Sequence, residues 1–371
     1  MKIATVLGAR PQFIKAATVS RAIAHHNRLH PKRSIAEIII HTGQHFDAAM
    51  SQVFFQELDI PQPKYNLGIA SLGHGAMTGR MLEGLEALFR DENPDLVLVY
   101  GDTNSTLAGA LAAVKMKLPI AHVEAGLRSH NPAMPEEINR VLTDRISQML
   151  FCPTSLAVRN LESEGFPFPH TGANLQAILN VGDVMYDATL FYRQLARDSF
   201  SLSQWGVEEK QYVLCTIHRA ENTDHSPRLE SVLTALKEIS RKIEVVLPLH
   251  PRTRKLVDQS GLQHGLSGIK ILEPLSYLEM QRLEMGASAI LTDSGGVQKE
   301  AYFHRVPCIT LRDETEWLET VDMGWNQVAG AETENILSAF AGATLPDGPE
   351  ESPYGLGDAA KKIVQFISEN G

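Results

Sequence analysis

Short runs of β-branched and leucine residues recur along this chain, each followed by a longer stretch with helical spacing. That alternation limits the folds open to it. The runs are Ile3–Leu7, Ile38–His41, Leu96–Tyr100, Ile120–Glu124 and Met149–Cys152, then Ile178–Val181, Tyr212–Ile217, Val245–Leu249, Ile269–Leu272, Ala289–Thr292 and Cys308–Leu311. They are apolar at nearly every position rather than at every second one, so they predict strands buried on both faces. The helix-spaced segments between them predict βαβ units, parallel sheets and right-handed crossovers. So many strands overfill one sheet, and 371 residues suit two domains. The predicted fold class is therefore α/β, with two Rossmann-like, doubly wound domains.

Proline and glycine interrupt both periodicities at Gly165–Asn174 and again at Leu345–Gly355. The expected domains are residues 1–168 and 169–356. Ile363, Val364, Phe366 and Ile367 fall at helical spacing, so the stretch 357–371 is expected to form a helix that packs back on the first domain. The net charge of −10 argues against a general nucleic-acid or acidic-membrane surface, though it allows a local basic pocket. No apolar run reaches the ~18 residues that span a bilayer. The N-terminal residues run into a strand rather than a secretory apolar region, which points to the cytoplasm. Cys152, Cys215 and Cys308 lie far apart in apolar segments, so buried reduced thiols are expected, with neither a disulfide frame nor a cysteine zinc site.

In parallel α/β sheets ligands bind beyond the carboxyl ends of the strands, so the polar residues that follow each run carry the information. After the first run come Gly8, Arg10, Gln12 and Lys15. Gly8 permits a tight turn, and Arg10 and Lys15 bring cations to a helix start that already favours anions. The spacing is not that of a Walker loop. Asp102 follows the third run, where it could simply cap a helix, as could Thr103 or Asn104. Glu124 closes a buried strand, so it must be paired, hydrogen-bonded or raised in pKa, and Arg128 is a candidate partner. Glu136 and Glu137 follow Pro135, which alone is an ordinary helix start. Together, carboxylates from separate strand–helix junctions can divide acid and base roles.

In the second half, His218 follows a strand and is suited to titrate near neutrality. His250-Pro251-Arg252 is a weaker signal of the same kind. Asp293-Ser294-Gly295-Gly296 follows a strand and opens a helix, with Glu300 further along. Adjacent glycines let phosphate oxygens approach backbone N–H groups at the helix start. Ser294 adds a hydroxyl, and Glu300 could accept from ribose hydroxyls. His25, His26, His30, His41 and His45 have no metal-site spacing. No G-x-G-x-x-G follows a strand, so a nicotinamide cofactor is not supported. Cations and carboxylates in the first domain, with a histidine and a diphosphate cradle in the second, suit a nucleotide sugar bound in an interdomain cleft and undergoing acid/base chemistry.

Eight ordered segments, Gly8–Lys15, Thr42–His45, Gly101–Thr106, His122–Ser129, Pro135–Arg140, His218–Asn222, Asp293–Glu300 and Arg312–Glu316, give the chain its resemblance to the non-hydrolysing UDP-N-acetylglucosamine 2-epimerases. The resemblance implies a glycosyltransferase-B-type fold, a homodimer, and no redox cofactor or required metal. It implies inversion at C2 of a UDP-sugar by elimination of UDP and re-addition through a 2-acetamidoglucal. By motif match, Asp102, Glu124, Glu136 and His218 are the functional ionisable residues. Arg10, Lys15, Ser294, Gly295 and Gly296 would hold the diphosphate, and Glu300 the ribose. The chain departs from many members at Trp317, where they carry a ligand-contacting Arg, and at Gln12, where they carry Glu. It also lacks the second Gln near Asp47 and the Arg after Ile69 found in allosterically activated members. These departures resemble a branch that acts on modified sugars such as UDP-2,3-diacetamido-2,3-dideoxyglucuronate. A hydrolysing epimerase, a glycosyltransferase of the same fold and a non-catalytic UDP-sugar sensor are the other readings.

Overall fold

A computed structural model describes residues 1–44, 58, 60–169, 176–346 and 352–370. His45 and Asp47, the segment 170–174 of the expected boundary and residues 347–351 lie outside the described residues. The chain divides into two compact units, Met1–Ala188 with Ser352–Gly371, and Thr189–Glu351.

The strands of the first unit are β1 (Lys2–Leu7), β2 (Ala36–His41), β3 (Tyr65–Asn66), β4 (Leu96–Tyr100), β5 (Ile120–Val123), β6 (Met149–Cys152) and β7 (Ala177–Asn180). They form one parallel sheet in the order β3-β2-β1-β4-β5-β6-β7. The order reverses between β2 and β4 on either side of β1, which makes the carboxyl ends of β1 and β4 the switch point where ligands collect. Ala4, Val6, Val97 and Val99 face a core completed by Met81, Leu85 and Phe89 of the helix His74–Glu92 and by Ala108 and Ala112 of the helix Asn104–Lys115. The intervening residues Ile3, Leu7, Leu96 and Leu98 are equally buried, as strands covered on both faces require.

β7 pairs with β6 from Met149↔Ala177 to Cys152↔Asn180, so the first unit runs on to Ala188 rather than ending at 168. The described part of the Pro- and Gly-containing segment, residues 165–169, therefore lies within this unit. Helix Ala359–Asn370 packs on helix Arg10–Leu29, and Phe366 sits edge-on to Phe151 at 5.9 Å between ring centroids.

The second unit holds β8 (Tyr212–Thr216), β9 (Glu244–Pro248), β10 (Lys270–Leu272), β11 (Ala289–Thr292), β12 (Cys308–Thr310) and β13 (Asn326–Val328) in the order β10-β9-β8-β11-β12-β13. All neighbours are parallel, and the switch point lies between β8 and β11. Val213 and Cys215 enter a core with Leu229, Leu233 and Ile336. Tyr212 and Leu214 enter the opposite one with Leu283, Ala301 and Val306. Each fully buried Leu or Val side chain contributes roughly 1.5–3 kcal/mol. Two Rossmann-like, doubly wound α/β units are thus what the sequence folds into. The three cysteines are buried and unpaired, and burial pushes the Cys308 thiol up to about 12. Among the described residues no helix is long and apolar enough to cross a membrane.

Candidate active site

At the switch point of the first unit, the turn after β1 is fixed by Gln12. Its Oε1 accepts from the N–H groups of Gly8 and Ala9 at 2.8 and 3.0 Å. Its Nε2 donates to the carbonyl of Tyr100 at 2.8 Å and to Thr106 Oγ1 at 2.9 Å. An amide that donates and accepts ties the ends of β1 and β4 together, which an ionised Glu, an acceptor only, would not do. A Cβ on Gly8 would stand 2.0 Å from Ser105 Oγ and 2.3 Å from Thr42 Oγ1. Those two hydroxyls, 2.7 Å apart, therefore need glycine at the turn. Arg10, half-buried, starts the helix, and Lys15 projects from its second turn.

Lys15 Nζ forms an ion pair with Glu124 Oε2, both residues being buried. The partner of Glu124 is therefore Lys15 rather than Arg128. Arg128 turns away to Asp144, with Nη1 2.7 Å from Oδ2, and to both oxygens of Glu164 at 2.6 and 2.8 Å. β5 stops at Val123, because Glu124 adopts φ +72°. That left-handed conformation is rare outside glycine and is characteristic of functional turns. Gly101, at φ +61°, lies alongside, and a Cβ there would be 3.1 Å from Glu124 Oε2.

Asp102 does not cap the following helix. Thr103 does, its side chain accepting from the Thr106 N–H. Asp102 is held instead by Arg140, whose Nε and Nη2 lie 3.2 and 2.5 Å from Oδ2. Its carboxylate remains 29 % exposed, so it is oriented yet open to a ligand. Arg140 also donates to Glu137 from Nη1 at 2.8 Å. Burial pushes Glu137 up. The N–H groups of Ser129 and His130 and the charge of Arg140 outweigh that and hold it below its ordinary value. Glu137 is thus a brace. Glu136, half-buried, has no hydrogen-bond or ion-pair partner among the described residues, which leaves its carboxylate available.

In the second unit, Thr216 and Thr292 pair in register at the ends of β8 and β11, and the loops beyond bring His218 to Asp293. His218 Nδ1 is 3.2 Å from Asp293 Oδ1, with the imidazole 49 % exposed and the carboxylate fully buried. Burial pushes Asp293 up. The hydrogen bond and charge of His218 and the N–H groups of Arg219 and His218 more than offset this, and its pKa is lowered. Asn222 Nδ2 bridges Asp293 Oδ2 and the Leu311 carbonyl at 3.2 and 2.8 Å. Asp293 therefore orients His218, a role that sequence reasoning missed although both residues follow buried strands. His250 instead caps the helix Pro251–Gln259.

Ser294 accepts from the Val297 N–H as the N-cap of helix Gly295–Phe303. A Cβ on Gly295 would lie 2.6 Å from Glu316 Oε1 and 3.3 Å from Trp317 Nε1, whereas beside Gly296 only Ser294 Oγ comes within 4 Å. Gly295 is thus required by packing, and Gly296 leaves the helix start open. Glu316 is paired with buried Arg312 at 3.0 Å. Trp317 is buried, with Lys299 Nζ 4.0 Å from its ring centroid. Glu300 is buried and accepts from Gln281 Nε2 at 3.0 Å. Its neighbour Glu284 is pushed well above the carboxylate range, first by burial and then by Glu300. Among the described residues no group of three His, Cys, Asp or Glu side chains is placed to hold a metal ion.

The family model for UDP-N-acetylglucosamine 2-epimerase matches residues 27–368. The chain belongs to this family. It is 49% identical over 373 residues, all of both chains, to UDP-2,3-diacetamido-2,3-dideoxy-D-glucuronate 2-epimerase of Pseudomonas aeruginosa. It is also 49% identical to a UDP-N-acetylglucosamine 2-epimerase homolog of Methanococcus maripaludis, with 99% of each covered. The crystal structure of Methanocaldococcus jannaschii UDP-GlcNAc 2-epimerase in complex with UDP-GlcNAc and UDP matches all of both chains with a TM-score of 0.89 at 42% identity. The family assignment accords with the two parallel α/β units and with the motif residues at their switch points.

Proposed function

We propose that this protein is a UDP-N-acetylglucosamine 2-epimerase, interconverting UDP-N-acetylglucosamine and UDP-N-acetylmannosamine. The observation that carries this reading is the Lys15–Glu124 pair on the left-handed turn beside the Arg140-held Asp102. Two carboxylates held in different settings can divide the removal and return of a proton between them. A base takes the C2 proton while the C1–O bond breaks. The electron pair forms the C1–C2 double bond of the glucal, and UDP leaves with the bonding electrons. UDP then returns to C1 as C2 is protonated on the opposite face.

Glu124 and Asp102 handle the C2 proton in this scheme. Glu136, with its available carboxylate, and His218, oriented by Asp293, assist the departing diphosphate. Backbone N–H groups at Gly295 and Gly296 and the Ser294 hydroxyl suit the diphosphate oxygens, Arg10 supplies charge, and Glu300 meets the ribose. Lys15 belongs with the base, since its ammonium is engaged by Glu124. The protein acts as a homodimer, as the family resemblance implies, and in the cytoplasm, where three buried free thiols suit a reducing compartment.

A second reading is 2-epimerisation of a modified UDP-sugar. Identity of 49% to the Pseudomonas aeruginosa enzyme over the whole chain favours it, as does Trp317. Incubation with UDP-N-acetylglucosamine and with UDP-2,3-diacetamido-2,3-dideoxyglucuronate, followed by proton NMR of the anomeric signals, decides between them. Epimer from the first supports the main reading. Epimer from the second alone replaces it, and epimer from neither rejects both.

A further inference from the structure

His122 is the third residue of β5 and is fully buried, as is Asp144 of the helix Pro135–Ile146. The imidazole is engaged at both nitrogens. Nδ1 lies 2.7 Å from Asp144 Oδ1, and Nε2 lies 2.7 Å from the carbonyl oxygen of Gly101. That carbonyl belongs to the peptide joining Gly101 to Asp102. The ring thereby bridges the Asp144 carboxylate and that carbonyl. The other oxygen of Asp144 accepts from the Gly126 N–H at 3.1 Å and from Arg128 Nη1 at 2.7 Å, and Gly126 lies two residues beyond Glu124. Burial pushes Asp144 up, but His122 and Arg128 together hold it below the usual carboxylate range.

One buried carboxylate and one buried imidazole therefore clamp the turn after β4 and the turn after β5. Those turns contain Gly101, Glu124 and Gly126, all with positive φ, and such turns persist only where their surroundings over-determine them. The same helix carries Glu136 and also Arg140, which holds Asp102. Neither His122 nor Asp144 is exposed to a ligand.

We propose that His122 and Asp144 are positioning residues of the epimerase reaction, fixing the turns that present Asp102 and Glu124 to the C2 proton. The inference rests on the reading of those two carboxylates as the proton carriers. A misplacement of about 1 Å at reacting groups costs on the order of 10²-fold in rate. It leaves most ground-state contacts with the nucleotide in place.

The test uses His122→Gln and Asp144→Asn, singly and combined, with Ile120→Val on the same buried strand as a control for lost packing. Steady-state rates on the UDP-sugar that the native protein turns over should show kcat lower by about 10²-fold in each single variant, with KM within about threefold of native. The double variant should be no slower than about threefold below the worse single one, because both act through one bridge. Ile120→Val should leave kcat within about twofold. Hydrogen exchange by mass spectrometry should show faster exchange confined to peptides covering 101–104 and 124–127 in both His122→Gln and Asp144→Asn. A loss confined to KM, a kcat loss matched by Ile120→Val, or multiplicative losses in the double variant would overturn the proposal. Native-like exchange at both turns would overturn it whatever the activity. A native protein inactive on every UDP-sugar tried, with exchange at the two turns still loosened, would remove the epimerase reading while leaving the clamp in place.

Discussion

Lys15→Met keeps most of the side-chain volume and the helix propensity at position 15 while removing the charge. Glu124 is 8 % exposed and Lys15 8 %, so the carboxylate that remains cannot recover its lost partner from bulk water. Removing one member of a buried pair costs about 3–5 kcal/mol, and the left-handed turn at Glu124 restricts its escape. An unpaired buried carboxyl favours its neutral form, so the cost falls on the charged state and eases where Glu124 takes up a proton. The sign follows from linkage. A carboxyl whose folded value rises above its unfolded one keeps its contribution below the unfolded value and loses it as pH climbs through the folded one. Urea unfolding should therefore show Lys15→Met about 3 kcal/mol less stable than native near pH 8, with the deficit shrinking towards pH 5. The acidic limb of the rate–pH profile should shift upward with it. Adding Glu124→Gln to Lys15→Met should restore most of the stability and none of the rate. A deficit equal at pH 5 and pH 8, or a double variant no more stable than the single one, would refute the charge-pair reasoning.

Other perturbations have equally definite outcomes. Gly126→Ala combines φ +79° with a Cβ 2.4 Å from the Ala157 carbonyl oxygen, so it should cost roughly 2–5 kcal/mol in chemical denaturation. Gly68→Ala, at φ +63° with nothing within 4 Å, should cost only about 1 kcal/mol, and equal costs would show that the contact at Gly126 is immaterial. Asp187 accepts from the Ala359 and Ala360 N–H groups at 3.2 and 2.8 Å, and burial pushes it up to about 6. Its stabilising contribution is complete below about pH 4 and is lost as pH rises through 6. Asp187→Asn should thus gain on the native protein between pH 4 and 7 by up to about 3 kcal/mol, and a pH-independent difference in urea unfolding would reject this. Ser294→Ala removes an N-cap and a candidate diphosphate donor. Calorimetry should show weaker UDP binding and kinetics a raised KM with kcat within a few-fold, and a kcat loss at unchanged KM would contradict that role.

The strands were legible because continuous apolar runs have one stable use in a chain of this kind. β3 and β13 were not, since Tyr65–Asn66 and Asn326–Val328 are too short to show a period. The candidate positions at each switch point were legible too, because Asp102 and Glu124 in the first unit and His218 and Ser294 in the second come just after buried strands. Their partners were not. Lys15 reaches Glu124 from a helix 109 residues earlier in sequence, whereas Arg128, four residues away, is drawn to Asp144 and Glu164. Asp293 looks from sequence like part of a phosphate turn, and only the pairing of β8 with β11 brings it to His218. Glu136 and Glu137 are indistinguishable in sequence. Helix rotation buries Glu137 against Arg140 and leaves Glu136 available. The boundary was misplaced because proline and glycine mark a loop without saying whether the next strand rejoins the same sheet, as Ala177–Asn180 does.

The most direct test is turnover in D2O, with the product's C2 position read by proton NMR and mass spectrometry. Removal of the C2 proton by one carboxylate and delivery of a solvent-exchanged proton to the other face by the second place one solvent deuteron at C2 of each epimerised molecule, and Glu124→Gln should abolish this incorporation while UDP still binds. Epimerised product that retains its original C2 hydrogen would contradict proton abstraction at that carbon.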